Sequence, residues 1–222
     1  MSCKEFLESL KSCVLDESRD PSTVSLLPVS KGHSSTHVRK VLLENPDLPK
    51  ILGENYLQEL QSKSKDLSDL DIQWHYIGNV QSKKLKEICS IVSVIHSIGR
   101  EKEIKILANI ESSPNFYLQF NISGEKSKGG FRPEAAKDVC DLLSSTGLHN
   151  KCLGLMCSAA PVDDVGVAEV KKEFAALREL RDQYFKGKDL NMGMSSDYAL
   201  AVGEGANVIR VGSLIFGPRN YQ

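Results

Sequence analysis

Lys31 ends the apolar stretch at 26–30 (LLPVS), and Gly32 with the polar group at 33–36 (HSST) follows at once. A lysine at the C-terminal mouth of a buried strand can clamp a phosphate, condense with an aldehyde, or sit in solvent. Two further groups have a similar setting. Ser195 and Ser196 follow the stretch at 190–194, and Gly212 with Ser213 follows the stretch at 207–211, which carries Arg210. Glycine lets backbone N–H groups approach a ligand, and serine adds a hydroxyl. A phosphate-bearing aldehyde needs both halves of this set, an amine for the carbonyl and a cradle for the phosphate. The plainer alternative is a helix cap, a tight turn and a solvated charge.

Positioning these groups falls to a regular alternation of elements. A helical stripe (Phe6, Leu7, Leu10, Val14, Leu15) is followed by a break containing Pro21. Strands are expected at 24–29, 50–52, 72–77, 91–95, 116–122, 152–156, 190–194 and 207–211. Helices fall between them: one with an inward face of Val38, Val41 and Leu42, a basic one over 81–89, and the longest from Val167 to Tyr184. Ser195 or Ser196 is expected to cap the helix after the seventh strand, and Gly205 to end it. Eight strands alternating with helices predict an α/β protein, a (β/α)8 TIM-type barrel, with every strand's C-terminal end at one mouth. A doubly wound open sheet fits less well, because Lys31-Gly32-His33 is no glycine-rich dinucleotide loop. No composition break divides the chain. Residues 1–222 are expected to form one domain, with 1–22 packed outside the barrel.

The formal charge of -1 gives no electrostatic case for nucleic acid or an anionic membrane. The 6 cysteines form no C-x-x-C pair, which points to a reducing compartment and free thiols. No signal peptide or membrane-length apolar run is apparent.

Seven segments carry a resemblance. They are LPVSK at 27–31, GENYLQE at 53–59, WHYIGNVQSKK at 74–84, QFNISGE at 119–125, GLM at 154–156, NMGMSSD at 191–197 and VIRVGSLIFGPR at 208–219. In order and spacing, from 26 to 221, the chain resembles the pyridoxal phosphate homeostasis protein family. The resemblance implies a barrel like the N-terminal domain of alanine racemase. It also implies pyridoxal 5′-phosphate held as a Schiff base on Lys31. Ser195, Gly212 and Ser213 match phosphate-binding positions, with Ser213 where threonine is commoner. Arg210 matches an arginine near the cofactor. Met192, Ser196, Asn55 and His75 belong to the same motifs. Gly32-His33, Lys50-Ile51-Leu52, Gly129 and Gly130 depart from the family pattern at loop rims.

For this chemistry Lys31 must spend time neutral, which burial favours. Arg210, facing the pyridine nitrogen, would disfavour its protonation; otherwise it would pair with a carboxylate. In the racemases a separate β domain brings a second acid/base, and this sequence shows none. The expectation is therefore a cytoplasmic monomer (mitochondria left open). It buffers vitamin B6 and delivers it to apo-enzymes without strong catalysis. A racemase or related lyase is the alternative, and a phosphate-ligand binder without covalent chemistry a third reading. His33 and His37 share a helix face but lack a third ligand, so no metal is expected. Lys83 and Lys84 mark a solvated helix face or a second cofactor site. The loop at 126–130 is exposed or a lid, and Cys152 and Cys157 pack as small hydrophobes.

Overall fold

Strand residues alternate between two faces. Here both faces are largely buried, the inner one mixing apolar with polar side chains, in a sheet covered by helices on one side and closed on itself on the other. The computed structural model describes residues 1–125 and 127–218. Lys126 of the expected lid loop, together with Arg219 and Tyr221, lies outside the described residues. Eight parallel strands run in the order β1–β8–β7–β6–β5–β4–β3–β2. Their ranges are β1 Ser25–Pro28, β2 Ile51–Glu54, β3 Gln73–Tyr76, β4 Val94–Ile98, β5 Asn115–Gln119, β6 Cys152–Met156, β7 Asp189–Asn191 and β8 Val208–Val211. Between β1 and β2 the contact is a single bridge, Val29 to Gly53, with the Ser30 N–H donating to the Gly53 carbonyl at 3.1 Å. The result is a nearly closed α/β barrel.

The alternation sorts the core into two. Leu27, Val94, Tyr117, Met156 and Val208 cluster inside the barrel. Their strand neighbours Leu26, Ile95, Phe116, Leu155 and Ile209 point outward into the larger core beneath the helices. Those helices are α1 Cys3–Asp16, α2 Ser35–Glu44, α3 Leu57–Asp66, α4 Leu85–Cys89, α5 Glu101–Leu107, α6 Ala136–Ser145, α7 Val162–Val165, α8 Val167–Tyr184, α9 Tyr198–Gly203 and α10 Ser213–Phe216. Phe174 and Leu177 give α8 its fully buried stripe; each such side chain contributes roughly 1.5–3 kcal/mol. Ser2 and Glu5 close a capping box at the start of α1, and Phe6 meets Tyr198 of α9 edge-on at 5.4 Å.

Several boundaries differ from those expected. The fourth strand begins at Val94, because Ile91 and Val92 both donate to the Ile88 carbonyl and so finish α4. That helix itself starts only at Leu85, after a turn in which the Lys84 N–H donates to the Gln81 carbonyl. The seventh strand stops at Asn191, and Gly193 turns the chain with φ of 98°. Neither Ser195 nor Ser196 caps α9. Asp197 occupies the cap position, and its carboxylate accepts from the Met194 N–H at 2.5 Å, folding the loop back on itself. Both serines are thereby left in the loop at the barrel mouth.

Candidate functional site

The C-terminal strand ends enclose a cavity of about 400 Å3. Lys31, Asn55, Ser195 and Ser196 line it, together with Arg210, Gly212 and Ser213. Its charged lining residues, Lys31 and Arg210, are both cations. Five lining residues fall outside the expected site set: Val29, Ile77, Met156, Ser158 and Met194. Period two would have found three of them. Val29 lies two before Lys31, Ile77 two after His75, and Ser158 two after Met156, which also lines the cavity.

Lys31 stands between two gripped neighbours. Lys63, on the polar-rich α3, is only 3% exposed. Its ammonium donates to the Ser30 carbonyl at 2.8 Å, to Glu54 Oε1 at 2.6 Å and to Glu59 Oε2 at 2.8 Å. The Ser30 hydroxyl donates to the same Glu54 oxygen at 2.6 Å, and the Gly32 N–H donates to Glu59 Oε2 at 2.9 Å. The peptide groups on both sides of Lys31 are therefore tied to one charge cluster. Burial raises the Glu54 pKa, and the nearby Lys63 works against that rise. Sequence reading missed this cluster because Lys63 sits among Gln, Ser and Lys residues that look solvated.

Arg210 is 6% exposed. Its Nη1 donates to the Asn191 carbonyl at 3.0 Å and to Asn191 Oδ1; its Nη2 donates to the Cys157 carbonyl at 2.8 Å and Ser158 Oγ at 3.4 Å. Burial lowers its pKa, with Cys157 and Asp197 opposing. Arg210 has no salt bridge among the described residues; main-chain carbonyls and neutral side chains hold it instead. Burial pushes the Cys157 thiol up to about 12, so it packs as an inert side chain.

His75 and Met192 are not brought into this cavity. Met192 is fully buried, its side chain turned outward to the helix-covered core. His75 lies two positions before the mouth residue Ile77, deeper in the barrel, with Nδ1 at 2.9 Å from His96 Nε2. Burial lowers the His75 pKa from 6.5 to about 4. The unfolded chain therefore takes up this proton first on acidification. The contribution of His75 is complete above pH 6.5 and lost as the pH falls towards 4, on the order of 3 kcal/mol in all. Urea titrations at pH 7 and pH 4 are expected to show a smaller acid loss in His75→Gln; equal losses would contradict this.

Asn55 also belongs to a neighbouring cavity of about 470 Å3, with Tyr56, Asn79, Gln81 and Lys84 in its wall. Asn55 Oδ1 is buried without a hydrogen-bond partner among the described residues. Lys84 pairs with Glu87 at 3.1 Å. His33 and His37 stack at 5.1 Å, and His37 Nε2 lies 2.8 Å from the Phe216 carbonyl. Asn121 braces the following loop, donating to the Glu125 and Lys128 carbonyls.

This arrangement has relatives. The model of the alanine racemase N-terminal domain family matches residues 16–220. A Pseudomonas aeruginosa protein named pyridoxal phosphate homeostasis protein is 40% identical, across 91% of this chain and 88% of its own. The chain belongs to the pyridoxal phosphate homeostasis protein family. A Schizosaccharomyces pombe protein of the same name is 32% identical, across 98% of this chain and 92% of its own. PipY of Synechococcus elongatus, solved with PLP bound, is 31% identical with a TM-score of 0.70, covering 94% of this chain and 100% of its own. An alanine racemase from Clostridium difficile superposes with a TM-score of 0.67 at 12% identity, covering 96% of this chain and 59% of its own. That last likeness speaks to the fold that this family shares with racemases. Among the described residues, no helix is long and apolar enough to cross a membrane.

Proposed function

We propose that this chain binds pyridoxal 5′-phosphate in the mouth cavity, with Lys31 as the amine that takes its aldehyde, and serves vitamin B6 homeostasis as a carrier. The observation that supports this most is the meeting, in one cavity, of Lys31 with Arg210, Ser195, Ser196, Gly212 and Ser213. The residues fit the cofactor. Among the described residues, the lining holds two cations, four serine hydroxyls and no carboxylate, which suits a phosphate dianion. A Cβ at Gly212 would come within 3.0 Å of the Val29 carbonyl, so glycine brings the β8 loop close to β1 beside Lys31. When bound, the cofactor supplies an aldehyde for condensation with a primary amine and a ring that withdraws electrons. Ser195, Ser196, Ser213 and the main chain at Gly212 hold the phosphate. Arg210, a permanent cation in the cavity wall, would disfavour protonation of the ring nitrogen if the ring lies against it. The grip on Ser30 and Gly32 aims Lys31 at the cavity.

Carrier function follows from the acid–base inventory. Racemisation needs proton transfer on two faces of the bound substrate, and among the described lining residues Lys31 is the one side chain suited to such transfer. The protein works in the cytoplasm as a monomeric single domain and passes the cofactor to apo-enzymes. Purified protein incubated with pyridoxal phosphate is expected to gain a visible band that borohydride fixes, with the mass adduct mapping to Lys31. Lys31→Ala is expected to lose both. A band that survives in Lys31→Ala refutes the anchor, and robust racemisation of L-amino acids that disappears in the same variant refutes the carrier role.

A further inference from the structure

A line of polar side chains runs from the mouth cavity down through the barrel: Arg210, Asn191, His96, His75. Asn191 and His96 are 0% and 1% exposed, so these polar atoms must be satisfied by one another. The direction of every bond can be deduced. A guanidinium has donors only. The Asn191 side chain must therefore turn its oxygen to Arg210 Nη1, which leaves its NH2 facing His96 Nδ1 at 2.5 Å. An NH2 group can only donate, so His96 Nδ1 accepts and its proton sits on Nε2. That Nε2 lies 2.9 Å from His75 Nδ1, which must accept in turn. His75 thus also carries its proton on Nε2. The Tyr117 ring stacks on His96 at 4.9 Å and holds the imidazole plane in line.

We infer that Asn191 and His96 are positioning residues for Arg210, forming a one-way relay that locks both interior histidines as neutral Nε2–H tautomers. Arg210 is the sole member of this line in the cavity lining. Asn191 fixes the in-plane setting of its guanidinium, and His96 fixes which way the Asn191 amide faces. Side chains outside the cavity thereby determine where the Arg210 charge sits within it. The consequence for the cofactor rests on the proposed function; the relay itself does not.

Histidine side-chain 15N NMR on the cofactor-free protein tests it, with His75→Gln and His96→Gln assigning the signals. Both residues are expected as Nε2–H tautomers at pH 7. Asn191→Asp offers acceptors only. It is expected to reverse the line, moving the proton to Nδ1 on His96 and on His75, while the fold persists by thermal melt. An Nδ1–H form of either histidine in the wild type, or Asn191→Asp leaving both tautomers unchanged, overturns the relay. In the second arm, His96→Leu is expected to weaken pyridoxal phosphate uptake about ten-fold, and His96→Gln, which can accept and donate as histidine does, to restore it. Unchanged uptake in His96→Leu, or equal weakening in both variants, overturns the positioning role. Failure of the wild type to take up the cofactor would refute the proposed function and leave the tautomer result standing.

Discussion

Lys63→Met is expected to destabilise the protein by about 3–5 kcal/mol, the usual cost of removing one partner from a buried ion pair. Methionine keeps most of the aliphatic stem, so the loss isolates the charge. Glu54 would remain fully buried, with Oε2 already lacking a partner among the described residues and Oε1 reduced to the Ser30 hydroxyl. The pH dependence identifies the cause. Without Lys63 the Glu54 pKa, already raised by burial, rises further. A carboxyl with a folded pKa above its unfolded one contributes most when protonated and loses that contribution as the pH rises through the folded value. The variant is therefore expected to recover stability relative to wild type on acidification and to be weakest at alkaline pH. Adding Glu54→Gln should return much of the loss at neutral pH. Denaturant titrations that place Lys63→Met within about 1 kcal/mol of wild type would show that solvent reaches the cluster. Cofactor uptake should fall in parallel, because the Ser30 carbonyl loses its ammonium partner.

Gly78→Ala carries the second large effect. A Cβ there would lie 1.8 Å from the Asn55 carbonyl oxygen and 2.6 Å from its carbon. Backbone cannot rotate away as a flexible side chain could, so the loops after β2 and β3 must separate. A cost of about 3 kcal/mol or more is expected, at the upper end for overpacking. Asn55 lines both cavities, so its displacement should also weaken pyridoxal phosphate binding. Gly129→Ala is the control. Its Cβ would meet nothing closer than Gln119 Nε2 at 4.0 Å, and such an exposed change should stay within about 0.5 kcal/mol. Thermal melts of the pair decide the matter: equal Tm values would mean that the Gly78 contact relaxes freely.

Much of this architecture was legible in the chain because its signals are periodic. The count and order of strands followed from apolar runs separated by helical stripes, and every strand end proposed for the phosphate cradle does reach the mouth. What stayed hidden was set by tertiary partners. Ile91 and Val92 look like strand and finish a helix, because local β-branching says nothing about which carbonyl will be in reach. Ser195 looks like a cap, yet the Asp197 carboxylate turns to the loop instead. Lys63 looks exposed, since its carboxylate partner Glu54 lies on another element. His75 looked like a mouth residue because its motif neighbours are; only the pleat shows that Ile77 is the one that arrives there. Asn191 opens a recognisable motif, but neither it nor His96 carried a mark of this role, because that role depends on strands β4 and β7 facing each other across the barrel interior.

The strand that carries Lys31 pairs with β8 on one side, Leu27 opposite Arg210, and is joined to β2 by one bridge on the other. Its firm neighbour is the last of these eight strands to be synthesised. Lys31 therefore has no finished surroundings until Arg210 and Gly212, seven strands further on, have emerged and folded back beside it. Contacts of such long range close late and slowly. A half-made chain has its lysine but not its pocket, so the cofactor capture proposed for Lys31 must wait for the barrel to close.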